Sequence, residues 1–409
     1  MKITVFVKNC LWCGFLGKIP YTNPQNPNVS IILLNYNGWE DTLRCLDSVY
    51  RTKYPNLKLF LVDNGSSDDS IDQFKKWANG ELITEPAPMI TDSPIKTFIE
   101  IKEFIYSPES GEVNPMEGNS DNSVQGNLDN SIQGNLDYSI PGTKDHSISG
   151  NSDYSANGHL DYGNKHLNEI SIIKIEENCG FTGGNNIALN YILENVTTDY
   201  IMLLSNDVVL DADSISEMIR AAETDDKIGI IGPMVYNYHD PLRVQSAGVD
   251  IEWTTGKQLV YCQNELNCHV EAHCTDVDFV SGCVMIISKD VCEKVGNLKE
   301  NYFAYWEETE WCTRVKKAGN RVICANKAKA WHKEAATTTK NPGFVEYHIT
   351  RNMFYFMKEH ASKTNYRSFL LYFFGYHIFY MSGFYILKAR DGTRLKYFWK
   401  GIIHGLTSE

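Results

Sequence analysis

Three carboxylates, Glu307, Glu308 and Glu310, stand among Tyr305, Trp306 and Trp311 in the stretch YWEETEW. Charges beside rings that favour burial are costly to desolvate unless something uses them. One use is general-base chemistry. A carboxylate within hydrogen-bond reach of a hydroxyl can take its proton as the oxygen attacks, and partial burial beside other acids raises its pKa and makes it a better base. A plainer use is electrostatic: EETEWCTRVKKAG has the composition of a helix that opens on acids, with Glu310 and Arg314, four apart, able to pair.

Other stretches carry further chemistry. SND sets Asn206 and Asp207 at the end of a run of Ile, Met and Leu. An acid there is either a helix cap or a ligand for a hard cation such as Mg²⁺ or Mn²⁺, which take carboxylate oxygens and substrate phosphates. His332, after AW at the end of a strand-like run, is an imidazole that Mn²⁺ also accepts, although a lone histidine is more often an ordinary surface or core residue. GFTGGNN, Gly180 to Asn186, is a glycine-rich helix start of the kind that brings backbone N–H groups to an anion. It lacks the GK[ST] of an ATP-binding loop and the three-glycine dinucleotide spacing. Asp63 in DNGSSDD could accept a hydrogen bond from a base or a ribose; its ordinary role would be a helix cap.

These stretches must be positioned by regular elements. VSIILLNYNG and LKLFLVDNGSSDDS are apolar runs ending in polar turn formers, and each reads as a buried strand entering a loop. Helical spacing follows both, so strand, helix, strand, helix implies a mostly parallel sheet with crossover helices. The pattern resumes in ISIIKIEENCGFTGGNN and DYIMLLSNDVVL. In such a sheet ligands bind beyond the carboxyl ends of the strands, so four polar clusters, NYNG, DNGSSDD, NCGFTGGNN and SND, are expected to meet in one crevice.

Between these halves runs an octapeptide repeat, with glycine at 118, 126, 134, 142, 150 and 158 and an aspartate three residues after each. It is too polar to bury a core, so residues 107–168 read as a low-complexity, disordered insertion; a small solenoid or calcium-binding stack is the sharper alternative. The expected organisation is an N-terminal extension (1–28), an α/β domain (29–340) holding that insertion, and a C-terminal helical region (341–409).

The chain has 409 residues, 43% hydrophobic, with a net charge of -13. That length supports more than one folded unit, and the acidic balance argues against nucleic-acid binding. Eleven scattered cysteines suggest reduced thiols in a cytoplasmic protein. Cys10 and Cys13 have zinc-pair spacing without a second pair, and the cluster Cys262, Cys268, His269, His273 and Cys274 reads as a hairpin with free thiols before it reads as a metal site. No convincing signal peptide opens the chain. Near the other end, Ser368 to Leu387 has no Asp, Glu, Lys or Arg and is flanked by basic residues. Its length just reaches the roughly 20 residues of a membrane span. Its tyrosines, His377, glycines and two basic flanks favour an interfacial or re-entrant helical hairpin on an anionic inner leaflet; a helix docked on the α/β domain is the alternative.

Taken in order, VSIILLNYNG, LVDNGSSDDS, ENCGFTGGNN, LLSNDV, DFVSGCVMIIS, YFAYWEETEWCTRVKKAG and AWH resemble the family 2, GT-A-fold, inverting nucleotide-sugar glycosyltransferases, in particular rhamnosyltransferase-like and galactofuranosyltransferase-like members. The likeness runs from about Val29 to Lys340 without the octads. It implies a GT-A, Rossmann-like, mixed but mostly parallel sheet flanked by helices. By position it assigns Asn35, Tyr36 and Asn37 to the base pocket and Asp63 to base or ribose. Asn178, Gly184, Asn185 and Asn206 fall on the donor side. Asp207 and His332 fall to a divalent metal, Mn²⁺ or Mg²⁺, Glu308 to the catalytic base, and Trp306, Glu307 and Trp311 to the acceptor side. The family's earlier metal-motif acid is Ser205 here, and its usual catalytic Asp is Glu308. The implied activity moves a sugar from a UDP- or dTDP-sugar, with rhamnose a candidate, to a glycan or lipid-linked acceptor at the inner membrane face. The alternative is an inactive homologue that binds nucleotide sugar or scaffolds a glycan-assembly complex.

Overall fold

The computed structural model describes residues 26–116, 167–333 and 343–407, apart from positions 93, 96, 98, 267 and 269. The octad repeats, Cys10, Cys13 and His269 lie outside the described residues, as does nearly all of the expected N-terminal extension.

The first half alternates as expected: β1 (Val29–Asn35), α1 (Trp39–Tyr50), β2 (Leu57–Asn64) and α2 (Ser70–Ala78). Strands β3 (Glu100–Ser107) and β4 (Glu112–Pro115) follow, then β5 (Glu169–Ile175), α3 (Gly180–Asn195), β6 (Tyr200–Ser205), β7 (Val208–Leu210) and α4 (Ser214–Ala222). Next come β8 (Ile228–Asn237), β9 (Val244–Ser246), the hairpin β10 (Val249–Glu252) and β11 (Lys257–Val260), and β12 (Cys274–Asp276). The α/β part ends with β13 (Val284–Ser288), α5 (Lys289–Val295), α6 (Glu307–Lys317) and β14 (Arg321–His332), and α7 (Phe344–His360) opens the C-terminal helices.

The main sheet runs β12-β14-β8-β13-β6-β1-β2-β5-β3-β4. Its centre is parallel, β6-β1-β2-β5-β3, and β13 enters antiparallel between β6 and β8. Successive residues of β1 serve opposite faces: Ile31 and Leu33 join the core under α1, α2 and α4, and Ile32 joins the core under α3 and α6. A strand covered on both faces needs a continuous apolar run, which explains why alternation is missing from its sequence. The chain leaves β1 toward β2 and returns to pair β6 on the other side, so a crevice opens at the carboxyl ends of β1 and β6.

Two expectations change. The insertion was expected from residue 107, yet Glu112–Pro115 pairs antiparallel with β3 and closes the sheet edge. Cys262 and Cys268 were expected as free thiols, but they form a disulfide; Cys262 takes a left-handed backbone conformation, φ 58°, in the tight loop that brings the two sulfurs together.

The C-terminal region is helical. A helix spans Lys363–Ala389, containing α8 (Lys363–Tyr372), a π-turn, α9 (Ile378–Gly383) and a second π-turn. Arg390 turns in the left-handed region, φ 51°, and α10 (Gly392–Thr407) returns, with Phe398 packing on Phe373 and Tyr385. The long helix is long and apolar enough to cross a membrane.

Candidate active site

Loops after four parallel strands meet, as the sequence predicted. Asn35, last in β1, donates from Nδ2 to Asp63 Oδ1 at 2.9 Å and to the Ser66 hydroxyl at 3.0 Å, and its own oxygen accepts from Thr42 at 2.7 Å. Ser66 donates to Asp63 and accepts from the Asn37 backbone N–H. Asn64 ties β2 to the glycine-rich loop, donating to Asn178 Oδ1 at 3.1 Å and to the Gly180 carbonyl at 3.0 Å and accepting from Cys179 N–H at 3.0 Å. Gly65 has a positive φ and a Cβ there would fall 2.8 Å from the Asn178 backbone nitrogen, so the two loops approach only because this residue is glycine. Asn206 donates to Thr42 Oγ1 at 3.1 Å and to the Gly38 carbonyl at 3.3 Å, closing the β1 side.

Asp207 and His332 come together from opposite ends of the sequence because β7 pairs with β14, His332 opposite Val208. Asp207 Oδ1 lies 3.4 Å from His332 Nε2, and the side chains keep 14% and 16% exposure. Two donors each about 2.1 Å from one ion stand roughly 3 Å apart, so this oxygen and nitrogen fit a small divalent cation. His332 Nδ1 contacts the Gln245 carboxamide at 3.1 and 3.3 Å, which fixes the ring's orientation. Burial pushes the His332 pKa down, but the adjacent Cys283 and Asp207 outweigh it and hold it well above the usual histidine value. Cys283 lies across from Ser205, whose backbone N–H donates to the Cys283 carbonyl at 2.8 Å.

The acidic stretch opens α6. Phe303, Tyr305 and Trp306 all have positive φ, between 63° and 72°, an arrangement that costs energy and occurs where surrounding structure enforces it. The three glutamates separate in environment. Glu310 is fully buried, accepts from Arg314 Nε at 2.8 and 2.9 Å and from His360 at 3.2 Å, and is structural. Burial raises its pKa, but His360 and Arg314 outweigh that and lower it. Glu307 is buried, with Oε2 lacking a partner among the described residues; burial and then the charge of Glu308 raise its pKa well above the usual value. Glu308 is the accessible one. It lies beside Gly282, where a Cβ would come 3.1 Å from its own Cβ, and lines a cavity of about 350 Å³ with Tyr305 and Trp306. Burial raises its pKa, against hydrogen bonds from the backbone of α6 and from Thr309.

Several expected contact residues face inward instead. Trp311, expected on the acceptor side, is fully buried and donates from Nε1 to the Gly296 carbonyl at 2.8 Å. Glu307 is buried behind Glu308. Asn35 is fully buried and holds Asp63 and Ser66. Gly184 packs on Leu34 and Asn64, and Asn185, 1% exposed, bonds the Phe181 carbonyl within its own helix. Tyr36, Asn37, Asn178, Asn206 and Asp207 keep solvent access. Sequence reasoning overlooked Asn352 on α7, which is fully buried and donates to the carbonyls of Tyr302, Ala304 and Tyr305 at 2.9, 2.8 and 2.7 Å. Nothing within its own helix pattern marks it.

Residues 30–87 match the family described as glycosyl transferase family 2, and residues 162–354 match glycosyltransferase like family 2. The two segments together take in more than half of the chain. The chain belongs to the family 2 glycosyltransferases. It is 25% identical over 191 residues to the low-salt glycan biosynthesis hexosyltransferase Agl10 of Haloferax volcanii, a match covering 46% of this chain and 59% of that protein. Similar solved structures include the mannosyltransferase PcManGT from Pyrobaculum calidifontis in complex with GDP-Man and Mn²⁺ (11% identity, TM-score 0.47, 94% of this chain and 89% of that one). TarS 1-349 of S. aureus is another (11% identity, TM-score 0.46, 93% and 81%).

Proposed function

We propose that the protein transfers a sugar from a nucleotide-diphosphate sugar to an acceptor hydroxyl with inversion, and that Glu308 is the base. The observation that carries this reading is the position of Glu308. It stands beside Gly282, next to the Cys283 that adjoins His332 and accepts from the Ser205 backbone N–H, and it also lines the cavity of about 350 Å³. One carboxylate thus borders a donor crevice on one side and an acceptor space on the other.

In the proposed reaction Glu308 accepts the hydroxyl proton as the acceptor oxygen forms its bond to the anomeric carbon. The bond from that carbon to the diphosphate oxygen breaks on the opposite side, so the configuration inverts and the nucleoside diphosphate leaves with the electron pair. Tyr36, Asn37 and Asp63 bind the base and ribose, and Asn178 and Asn206 flank the diphosphate. Asp207 and His332 would hold a divalent metal, Mn²⁺ or Mg²⁺, whose chemistry is to neutralise charge on the leaving diphosphate. The donor is a UDP- or dTDP-sugar and the acceptor a glycan or lipid-linked saccharide at the inner face of the membrane, in cell-surface glycan synthesis. The apolar helix Lys363–Ala389 supports that location.

The test is nucleotide release from UDP-, dTDP- and GDP-sugars with Mn²⁺ and membrane extract as acceptor source. Wild type is run beside Glu308→Gln and Asp207→Ala. Turnover of one donor, lost in both variants, is expected. Donor binding without turnover, unchanged in Glu308→Gln, overturns the reading in favour of an inactive nucleotide-sugar-binding homologue.

A further inference from the structure

The glycine-rich start of α3 has the composition of an anion cradle, because the first four N–H groups of a helix have no partner within it. In the structure all four are taken. Cys179 N–H donates to Asn64 Oδ1 at 3.0 Å and Gly180 N–H to Asn178 Oδ1 at 2.8 Å. Phe181 and Thr182 both donate to the Phe303 carbonyl, at 2.9 and 3.3 Å. We propose that α3 braces the base instead of binding the phosphates, and that Phe303 and Asn186 are positioning residues for Glu308. The inference rests on the transferase reading above and adds how its base is held, leaving the diphosphate to the residues named there.

Two ties join α3 to the segment that precedes Glu308. At the first, the Asn186 side chain, 5% exposed, donates to the Leu298 carbonyl at 2.8 Å and accepts from the Leu298 N–H at 3.1 Å. One side chain thereby satisfies both backbone groups of that residue. At the second, five residues before Glu308, the Phe303 carbonyl receives two N–H groups at the positive end of the helix dipole, where partial negative charge is favoured. A diphosphate reaching those N–H groups would have to displace the Phe303 carbonyl.

The Phe303 ring locks the second tie. It lies against Gly180, whose φ is 74° and where a Cβ would come 2.6 Å from the ring, so a side chain at position 180 would push the ring away. The ring also stacks on His348 of α7, with centroids 5.5 Å apart and planes 20° apart, and meets Phe344 edge-on at 6.2 Å. Burial and then the charge of Arg351 push the His348 pKa down to about 4, so an uncharged imidazole faces the ring at neutral pH. Phe303 is held at φ 63°, a conformation that a non-glycine residue keeps only where its surroundings impose it. The segment is thus fixed from α3 at Leu298 and Phe303, and from α7 at Tyr302, Ala304 and Tyr305.

The test uses the full chain. Hydrogen exchange is followed at residues 179–182 and 303–308, with and without Mn²⁺ and UDP, dTDP or GDP in turn. In wild type the four helix-start amides are expected to exchange slowly already and to keep that rate when a nucleotide binds. Asn186→Ala and Phe303→Gly, the latter keeping the carbonyl and the positive φ, are each expected to speed exchange at 303–308. Each is expected to lower kcat by about 10²-fold, the effect of a reacting group displaced by about 1 Å. Nucleotide affinity and the donor KM stay at the wild-type level, which also shows that the variants fold. Nucleotide-induced slowing at 179–182 in wild type assigns the helix start to the phosphates and overturns the inference, whether or not the variants fold. Wild-type kcat in both folded variants, or nucleotide affinity that falls in step with kcat in them, overturns it as well. The transferase reading fails by a different result: no donor is turned over and no nucleotide binds, while residues 179–182 exchange slowly and both variants loosen 303–308.

Discussion

The carboxamide nitrogen of Asn352 lies 2.7 Å from the carbonyl oxygen of Tyr305. That contact joins the C-terminal helices to the stretch that carries the proposed base. The Phe303–Trp306 segment holds three non-glycine residues at positive φ, each costing about 1–3 kcal/mol, immediately before Glu307 and Glu308. Asn352 donates to the Ala304 and Tyr305 carbonyls within that segment and to the Tyr302 carbonyl just before it, and Arg351 donates to the Asn301 and Tyr302 carbonyls at 2.9 Å. Asn352→Ala leaves buried acceptors unpaired, which costs about 1–3 kcal/mol. Urea unfolding is expected to show that loss, and nucleotide release at low temperature, where the variant remains folded, is expected to fall as Glu308 loses its fixed position. Full activity in a destabilised variant would limit Asn352 to a folding role.

A carboxylate acts as a base only when ionised, and burial raises the pKa of Glu308, the proposed base, above the ordinary glutamate value. Activity should therefore rise with pH and level off only after that raised pKa is passed, so the acidic limb of kcat/KM sits above the ordinary glutamate range. Glu308→Gln is expected to lose about 10²–10⁴ of the rate, while Glu308→Asp keeps a limb of the same slope at a lower plateau. A profile flat from pH 4 to 8 in wild type would assign the proton to another group.

Glu307 makes an opposite prediction about stability. Its folded-state pKa is raised by burial and by Glu308, so the folded protein holds the proton more tightly than the unfolded chain does. The resulting stabilisation is fully present below the unfolded value near 4.5 and is lost as pH rises through the raised folded pKa. Glu307→Gln keeps the shape without the charge. It should change little at pH 4 and stabilise by about 1–3 kcal/mol at pH 8, read as the difference between melting curves at the two pH values.

The parts legible in the sequence share a physical cause. β1, β2, β5 and β6 are largely buried on both faces, so each appears as a mainly apolar run, and the polar residues that end them gather at one end of the sheet. Asp207 and His332 were legible for the same reason, each closing a strand-like run. β3 and β4 were hidden because an edge hairpin is half exposed: EIKEFIYS carries charges among its apolar residues. Trp311 and Glu307 looked functional beside Glu308 because sequence proximity does not separate the faces of a helix, whereas the pairing of Glu310 with Arg314 was legible from their spacing. In the structure, positions 307, 310 and 311 turn inward and 308 turns out. Asn352 and the cavity belong to contacts between distant segments, which no local pattern records.

Ser205 offers the last prediction. It stands where the family resemblance expects a second acid, two residues before Asp207, and its backbone is fixed by the bond to the Cys283 carbonyl. A site of one carboxylate and one imidazole places less negative charge on a hard cation than a site with two carboxylates. Ser205→Asp is therefore expected to lower the Mn²⁺ concentration giving half-maximal binding, measured by calorimetry with UDP present, by about tenfold, whereas Asp207→Asn raises it by at least as much. Gln245→Leu, which frees the far nitrogen of His332, should weaken metal binding by about 10–100-fold without touching the ion. If Ser205→Asp leaves the affinity unchanged while Asp207→Asn abolishes it, position 205 points away from the ion, and the metal is held from the Asp207–His332 side alone.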